Sequence, residues 1–224
     1  MSCSQFKVHV NGRCSAEPDG TMRRMHKPPL LILASTSVYR RELLARLRLP
    51  FEVVAPDVDE AAWPSEPPAS LALRLALAKA RAVAARHPQA VVIGSDQVAE
   101  LDGVALGKPG HHDAAVQQLR AMRGRRVVFH TAVAVVGADR GFEASDLARI
   151  SVTFRDLSDA EIERYLRTDR PYDCAGSAKV ESLGIALLQS VESDDPTALI
   201  GLPLIRTCAL LRQAGIDPLG HDAP

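Results

Sequence analysis

The sequence carries no surplus of charge. Lysine plus arginine and aspartate plus glutamate number 27 each. That balance argues against non-specific nucleic-acid binding as the main task, while leaving room for a local basic pocket around a small anion. Cysteine is scarce: Cys3, Cys14, Cys174 and Cys208 are the only four. No pair has CxxC spacing, which argues against a zinc ribbon or a thioredoxin-like motif. Isolated thiols of this kind are expected to be reduced, in a cytoplasmic protein. No stretch reaches the roughly 18 uncharged apolar residues of a membrane span. Met1 to Pro29 lacks the apolar centre of a signal peptide. There is no internal repeat and no low-complexity block. A GxxxxGK[ST] phosphate loop is absent, and so is the GxSxG elbow of a serine hydrolase.

What is present suits a soluble α/β chain. Hydrophobic residues make up 46% of 224, enough for one large domain or two joined lobes. Residues 1–29 are mixed in Gly, Pro and charge, and are expected to form a poorly ordered extension. Met22 and Met25 offer later starts that would lose no predicted element. A single folded unit is expected over residues 30–219, with a short tail at 220–224.

LLILA from Leu30 reads as a buried strand. A helix from Val38 to Leu47 follows, capped by Ser37, with Leu43, Leu44 and Leu47 on its apolar side. FEVVAP is a second strand, and DVDEAAWPSEPP a loop. Ser70 to Arg86 reads as a helix with Leu71, Leu75, Ala78 and Ala82 on one face. Ala90 to Ala99 is an apolar strand and Asp113 to Met122 a helix. Arg125–Val136 and Glu143–Phe154 are β-rich neighbours of antiparallel type. Ser158 and Glu161 open a helix as a capping box. PYDCAGSAKVESLG is irregular, IALLQSV a short strand, and Leu204 to Ala214 the last helix. The order is α/β with an antiparallel excursion.

Five places could carry chemistry. At Ala34-Ser35-Thr36-Ser37 a strand becomes a helix through small hydroxyl residues, with Arg40 one turn on. Exposed backbone N–H groups and the helix dipole suit a phosphate there, and Arg40 can fork onto its oxygens; the alternative is an ordinary capped helix with solvated arginines. Asp96 follows a Val/Ile strand in GSD. It is either a turn former or a general base or metal ligand, and the carboxyl end of a strand favours the latter. Asp57, Asp59 and Glu60 form either a solvated acidic loop or a source of a Mg²⁺ carboxylate. Lys79 interrupts an Ala/Leu helix, and Lys108 sits in the tight loop LGKPG. Each is either a snorkelling surface lysine or a phosphate ligand. In AGSAKVESLG the glycines allow close approach to a flat ligand, and Glu181 could pair with a base edge. HHD at His111–Asp113 resembles a metal cluster, but adjacent histidines at a helix start point apart.

Taken in order, LILASTSVYRRELL, APDVDE, the Lys79 helix, IGSDQVAELDG with LGKPG, YDCAGSAKVESLGIAL and GLPL resemble the Maf family of nucleoside triphosphate pyrophosphatases. The resemblance runs from about Leu30 to Leu219. Within the family, Tyr39, Gln97 and Glu181 look like the branch that acts on 7-methyl-GTP rather than on dTTP and UTP. One departure is Ser37-Val38-Tyr39-Arg40, where the family usually has S-P-x-R. The resemblance implies a two-lobed Maf/ITPase-like fold, with a mixed twisted sheet, surrounding helices and a cleft between lobes. It implies hydrolysis between the α- and β-phosphates with a divalent cation, Mg²⁺, Mn²⁺ or Co²⁺. Asp96 would be the general base, and Glu60 and Asp96 the metal carboxylates. Ser35, Arg40, Lys79 and Lys108 would bind phosphates, and Tyr39, Gln97 and Glu181 would read the base. Tyr39 would stack on a purine, particularly a cationic methylated one. The implied partner is a nucleotide, with no nucleic acid or membrane, and a homodimer is compatible with the family. A nucleotide-binding regulator of septum formation without turnover is the alternative from another class.

Overall fold

Leu31–Ala34 (β1) is buried along its whole length, the mark of a strand covered on both faces. The computed structural model, which describes residues 29–220, places it inside a seven-stranded mixed sheet. The extension, the alternative starts, and Cys3 and Cys14 lie outside the described residues. β1 runs parallel to Glu52–Val54 (β2) on one side and to Val91–Leu101 (β3) on the other. Beyond β3 the long strands Arg126–Gly137 (β5) and Phe142–Phe154 (β6) are antiparallel, as their composition predicts, and Leu188–Glu192 (β7) closes that edge. Val104–Leu106 (β4) folds back onto β3.

The register opens a gap. β1 pairs with β3 only from Val91 to Gly94, because the chain turns away after Ala34. β4 pairs with Ala99 to Leu101. β5 holds the opposite edge of β3 from Val92 to Glu100. Ser95 to Val98 therefore have a strand on one side only, and this opening is the cleft.

Two lobes flank it. In the first, Pro68–Ala84 (α2) covers one sheet face, packing Leu71, Leu75, Ala76, Ala80 and Val83 on Ile32, Val92 and Ala134. Val38–Ala45 (α1) and Leu204–Gln213 (α5) cover the other, with Leu43, Leu44, Leu210 and Leu211 on Leu33, Ile93 and Val133. In the second lobe, His112–Met122 (α3) and Asp159–Asp169 (α4) pack Leu119, Met122, Ile162 and Leu166 against Phe129, Ile150 and Phe154. The capping box at Ser158 and Glu161 is formed. Among the described residues, no helix is long and apolar enough to cross a membrane.

Three expectations are corrected. The buried face of α2 carries Ala72, Ala76 and Ala80 rather than Ala78 and Ala82, which lie at its flank. Alanine fits either side, so the hydrophobic period alone leaves the face loosely fixed. α1 ends at Ala45, leaving Leu47 beyond it and half-buried. The apolar run IALLQSV divides: Leu183–Leu187 is a 3₁₀ turn, and the strand starts at Leu188.

Candidate active site

The turn after β1 is held by its own hydroxyls. Ser35 Oγ accepts from Ser37 N at 3.1 Å, and Ser37 Oγ caps α1 by accepting from Arg40 N at 3.4 Å. Arg40 Nε donates to the Gly201 carbonyl at 2.9 Å, across 161 residues of chain. Its terminal amino groups have no partner among the described residues. Burial pulls the guanidinium below its usual range, and the nearby charges of Asp96 and Glu60 oppose the shift.

Lys79 is buried at 4% exposure, which rules out the snorkelling reading for it. It enters the cleft from α2, and its Nζ lies 2.7 Å from both Asp96 Oδ1 and Glu60 Oε1. α2 can place it there because Gly94 lets the helix press onto β3: a Cβ at that position would stand 2.2 Å from Ala76 O. Asp96 lies on the unpaired stretch of β3 with its side chain 11% exposed, and its Oδ2 has no partner among the described residues. Glu60 reaches in from the acidic loop, half-exposed. Partial burial raises its carboxyl, but the hydrogen bond and charge of Lys79, aided by Lys108 and Arg40, leave it below the ordinary range. Lys108 is exposed on the loop after β4. Arg40, Lys79, Lys108, Asp96 and Glu60 thus share one cleft.

A second group forms the cleft's other wall. Tyr39, at the start of α1, meets Lys179 from the irregular segment, with Nζ 5.3 Å from the ring centroid. Glu181 is exposed at the rim. The protein packed about it pushes its carboxyl above the ordinary range; Lys179 opposes this, while Asp169 and Asp173 reinforce it. Gln97 alternates with Asp96 along β3 and so faces the opposite side of the sheet. Its amide nitrogen lies 2.9 Å from Thr131 Oγ1 on β5, 3.0 Å from Ala198 O and 3.1 Å from Leu199 O, so its two hydrogens are shared among β5 and the segment before α5. Only its oxygen is left for a ligand.

Several residues at this site carried no assigned role in the sequence. Ser95 Oγ lies 3.0 Å from Gly201 O and 2.8 Å from Ala132 O, so Arg40 and Ser95 converge on one carbonyl. Lys179 lay within the AGSAKVESLG motif, and Gly201 within GLPL. His111 caps α3, and His112 bonds Tyr172 and Glu163, so the HHD run is engaged in local structure.

No cluster of three or more His, Cys, Asp or Glu side chains suited to a metal exists among the described residues. Two carboxylates do converge, on the Lys79 ammonium, which stands in for a cation between hard oxygen donors. That pair fits a magnesium-type ion completing its shell with waters and phosphate oxygens.

The profile of the family described as Maf-like protein matches residues 30–214. The chain belongs to that family. Ser35, Asp96, Glu181 and Gly201 all fall within the Maf-like span. Among its relatives, a protein of Albidiferax ferrireducens named 7-methyl-GTP pyrophosphatase is 68% identical over 190 residues, covering 85% of this chain and 96% of the relative. One of the same name from a Polaromonas species is 68% identical, covering 83% and 85%. Another from Bordetella pertussis is 59% identical, covering 88% and 98%.

Proposed function

We propose that this chain hydrolyses 7-methyl-GTP between its α- and β-phosphates, releasing the monophosphate and pyrophosphate. The observation that carries the reading is the 68% identity, over nearly their whole length, to relatives of that name. The cleft supplies matching chemistry. Arg40, Lys79 and Lys108 offer three positive charges to a triphosphate, and the Ser35 turn opens toward the same place. Asp96 accepts a proton from the attacking water through Oδ2, its free oxygen. One P–O bond forms to the water oxygen and one bond of the α–β bridge breaks, with pyrophosphate leaving. A divalent cation held by Glu60 and Asp96 would neutralise charge building on the phosphates. Tyr39 offers a face to the base, and Glu181 accepts from the N1–H and exocyclic amine of a guanine edge.

A pyrophosphate-release panel over 7-methyl-GTP, GTP, dTTP and UTP, with metal titration, tests this. The expected result is a clear preference for 7-methyl-GTP that depends on added metal. Equal rates on UTP would sink the assignment.

A further inference from the structure

The irregular segment of the second lobe is organised around one backbone position. Tyr165, buried on α4, donates its hydroxyl to Ser177 O at 3.1 Å and accepts from Lys179 N at 2.9 Å. Lys179 O accepts from Ser182 N and from Gly184 N, each at 3.1 Å. Gly184 presses so closely that a Cβ there would stand 2.4 Å from Lys179 O. Both backbone polar groups of Lys179 are thus fixed, and so is the direction in which its side chain leaves.

That direction crosses the cleft. Lys179 Nζ lies against the Tyr39 ring at 5.3 Å, within the roughly 6 Å of a cation–π contact. A hydrogen bond with Tyr39 is the main influence raising the ammonium above its ordinary range, with the charge of Glu181, two residues on, a smaller one in the same direction. A lysine held this rigidly plays no part in the hydrolytic steps above. It stands against the ring assigned to the base, two residues along the chain from the carboxylate assigned to its edge.

We propose that Lys179 is a specificity-determining residue whose ammonium fills, in the nucleotide-free protein, the place of a cationic base against Tyr39. The inference rests on the reading of 7-methyl-GTP as substrate. A base carrying positive charge, such as 7-methylguanine, displaces the ammonium charge for charge. A neutral base must break the same contact with Tyr39 and bring no positive charge in its place. Lys179 therefore penalises neutral bases selectively.

The test compares Lys179→Met, which keeps side-chain length and backbone contacts but removes the charge, with wild type. Calorimetry reads the dissociation constants of 7-methyl-GMP and GMP, and KM is measured for the two triphosphates. The preference for the methylated nucleotide should fall roughly three- to thirtyfold, the range a single cation–π contact spans. Lys179→Arg should restore it. Equal weakening of both nucleotides would make Lys179 a phosphate ligand and overturn the proposal, as would an unchanged ratio. If Lys179→Met fails to fold, Lys179→Gln carries the same comparison. The wild-type panel separates the two ideas. No wild-type preference for 7-methyl-GTP overturns the substrate reading and this inference with it; a preference that Lys179→Met leaves intact overturns this inference alone.

Discussion

Lys79 Nζ and Asp96 Oδ1 stand 2.7 Å apart, one reaching in from α2 and the other standing on the unpaired stretch of β3. Both side chains are nearly buried, and a buried charge is tolerated only when paired. The pair is asymmetric in its use of oxygens: Lys79 takes Oδ1, and Oδ2 remains toward the cleft. A carboxylate anchored at one oxygen and open at the other is oriented for proton transfer.

Asp96→Asn isolates that role. The amide keeps the shape but loses the proton-accepting charge. Turnover should drop by about 10²- to 10⁴-fold, the usual contribution of a general base. Nucleotide binding, read by calorimetry, should persist. Wild-type turnover in this variant would remove Asp96 from the mechanism.

The same lysine bears on the proposed metal site. Glu60 and Asp96 both spend an oxygen on its ammonium, so a divalent ion arriving alone competes with a tethered cation. Lys79→Met should bind Mn²⁺ more tightly without nucleotide, by about tenfold for each ~1.4 kcal/mol of repulsion removed. Electron paramagnetic resonance of free Mn²⁺ reads this directly. Hydrolysis by the same variant should slow, because a proposed phosphate ligand is gone. Unaltered or weaker Mn²⁺ binding would place the metal away from this pair.

Much of this cleft was legible locally. A hydroxyl turn with an arginine one helical turn on is a chemical signal within a dozen residues. Asp96 was legible as an acid in an apolar strand but not in its place: β3 runs on to Leu101, and Asp96 is opened by the loss of the β1 partner after Gly94 rather than by the end of its strand. Lys79 was legible as an anomaly in an Ala/Leu helix, but not as buried, since alanine leaves the helix face loosely fixed. The three-residue β4 is exposed and too short to show a period, yet it helps frame the gap in the sheet. The Arg40–Gly201 contact joins residues 161 apart, and no local pattern encodes it. Lys179 was hidden by its neighbours: glycines and a glutamate in the motif drew the functional reading, while the hydrogen bonds that fix the lysine come from α4 and from backbone.

Glu181 predicts a pH dependence. Surrounding protein holds its carboxyl above the ordinary glutamate range. Its ionised form, the one proposed to accept from the base, is therefore reached at higher pH than in a free glutamate. KM for 7-methyl-GTP should fall as pH rises through a window above the ordinary glutamate range, and Glu181→Gln should flatten that limb. A KM profile identical in the two proteins would separate Glu181 from base recognition.

Gly94 tests whether the sheet–helix approach sets the site. A Cβ would meet Ala76 O at 2.2 Å and Ala80 N at 2.7 Å, both helix backbone. The helix must move for Gly94→Ala to fold, and overpacking of this kind costs about 1–3 kcal/mol or more. Denaturant unfolding measures the loss. Because α2 carries Lys79, activity per folded molecule should fall as well.

Asp195 is fully buried and accepts four hydrogen bonds: Ile205 N at 2.9 Å, Arg206 N at 3.3 Å, Thr197 N at 3.4 Å and Thr197 Oγ1 at 3.0 Å. It does for α5 what Pro203, at the N-cap position, has no side-chain acceptor to do. In doing so it ties the helix to the segment whose carbonyls engage Arg40, Ser95, Gln97 and Thr131. Asp195→Ala should cost about 2–3 kcal/mol by thermal unfolding, from a lost cap and stranded donors. The consequence for function runs through Gly201. With that carbonyl no longer fixed, Arg40 loses the contact that aims its free amino groups, and KM for the triphosphate should rise more than kcat falls. A destabilised variant with wild-type KM would mean that the capped α1 turn, rather than the Gly201 carbonyl, orients Arg40.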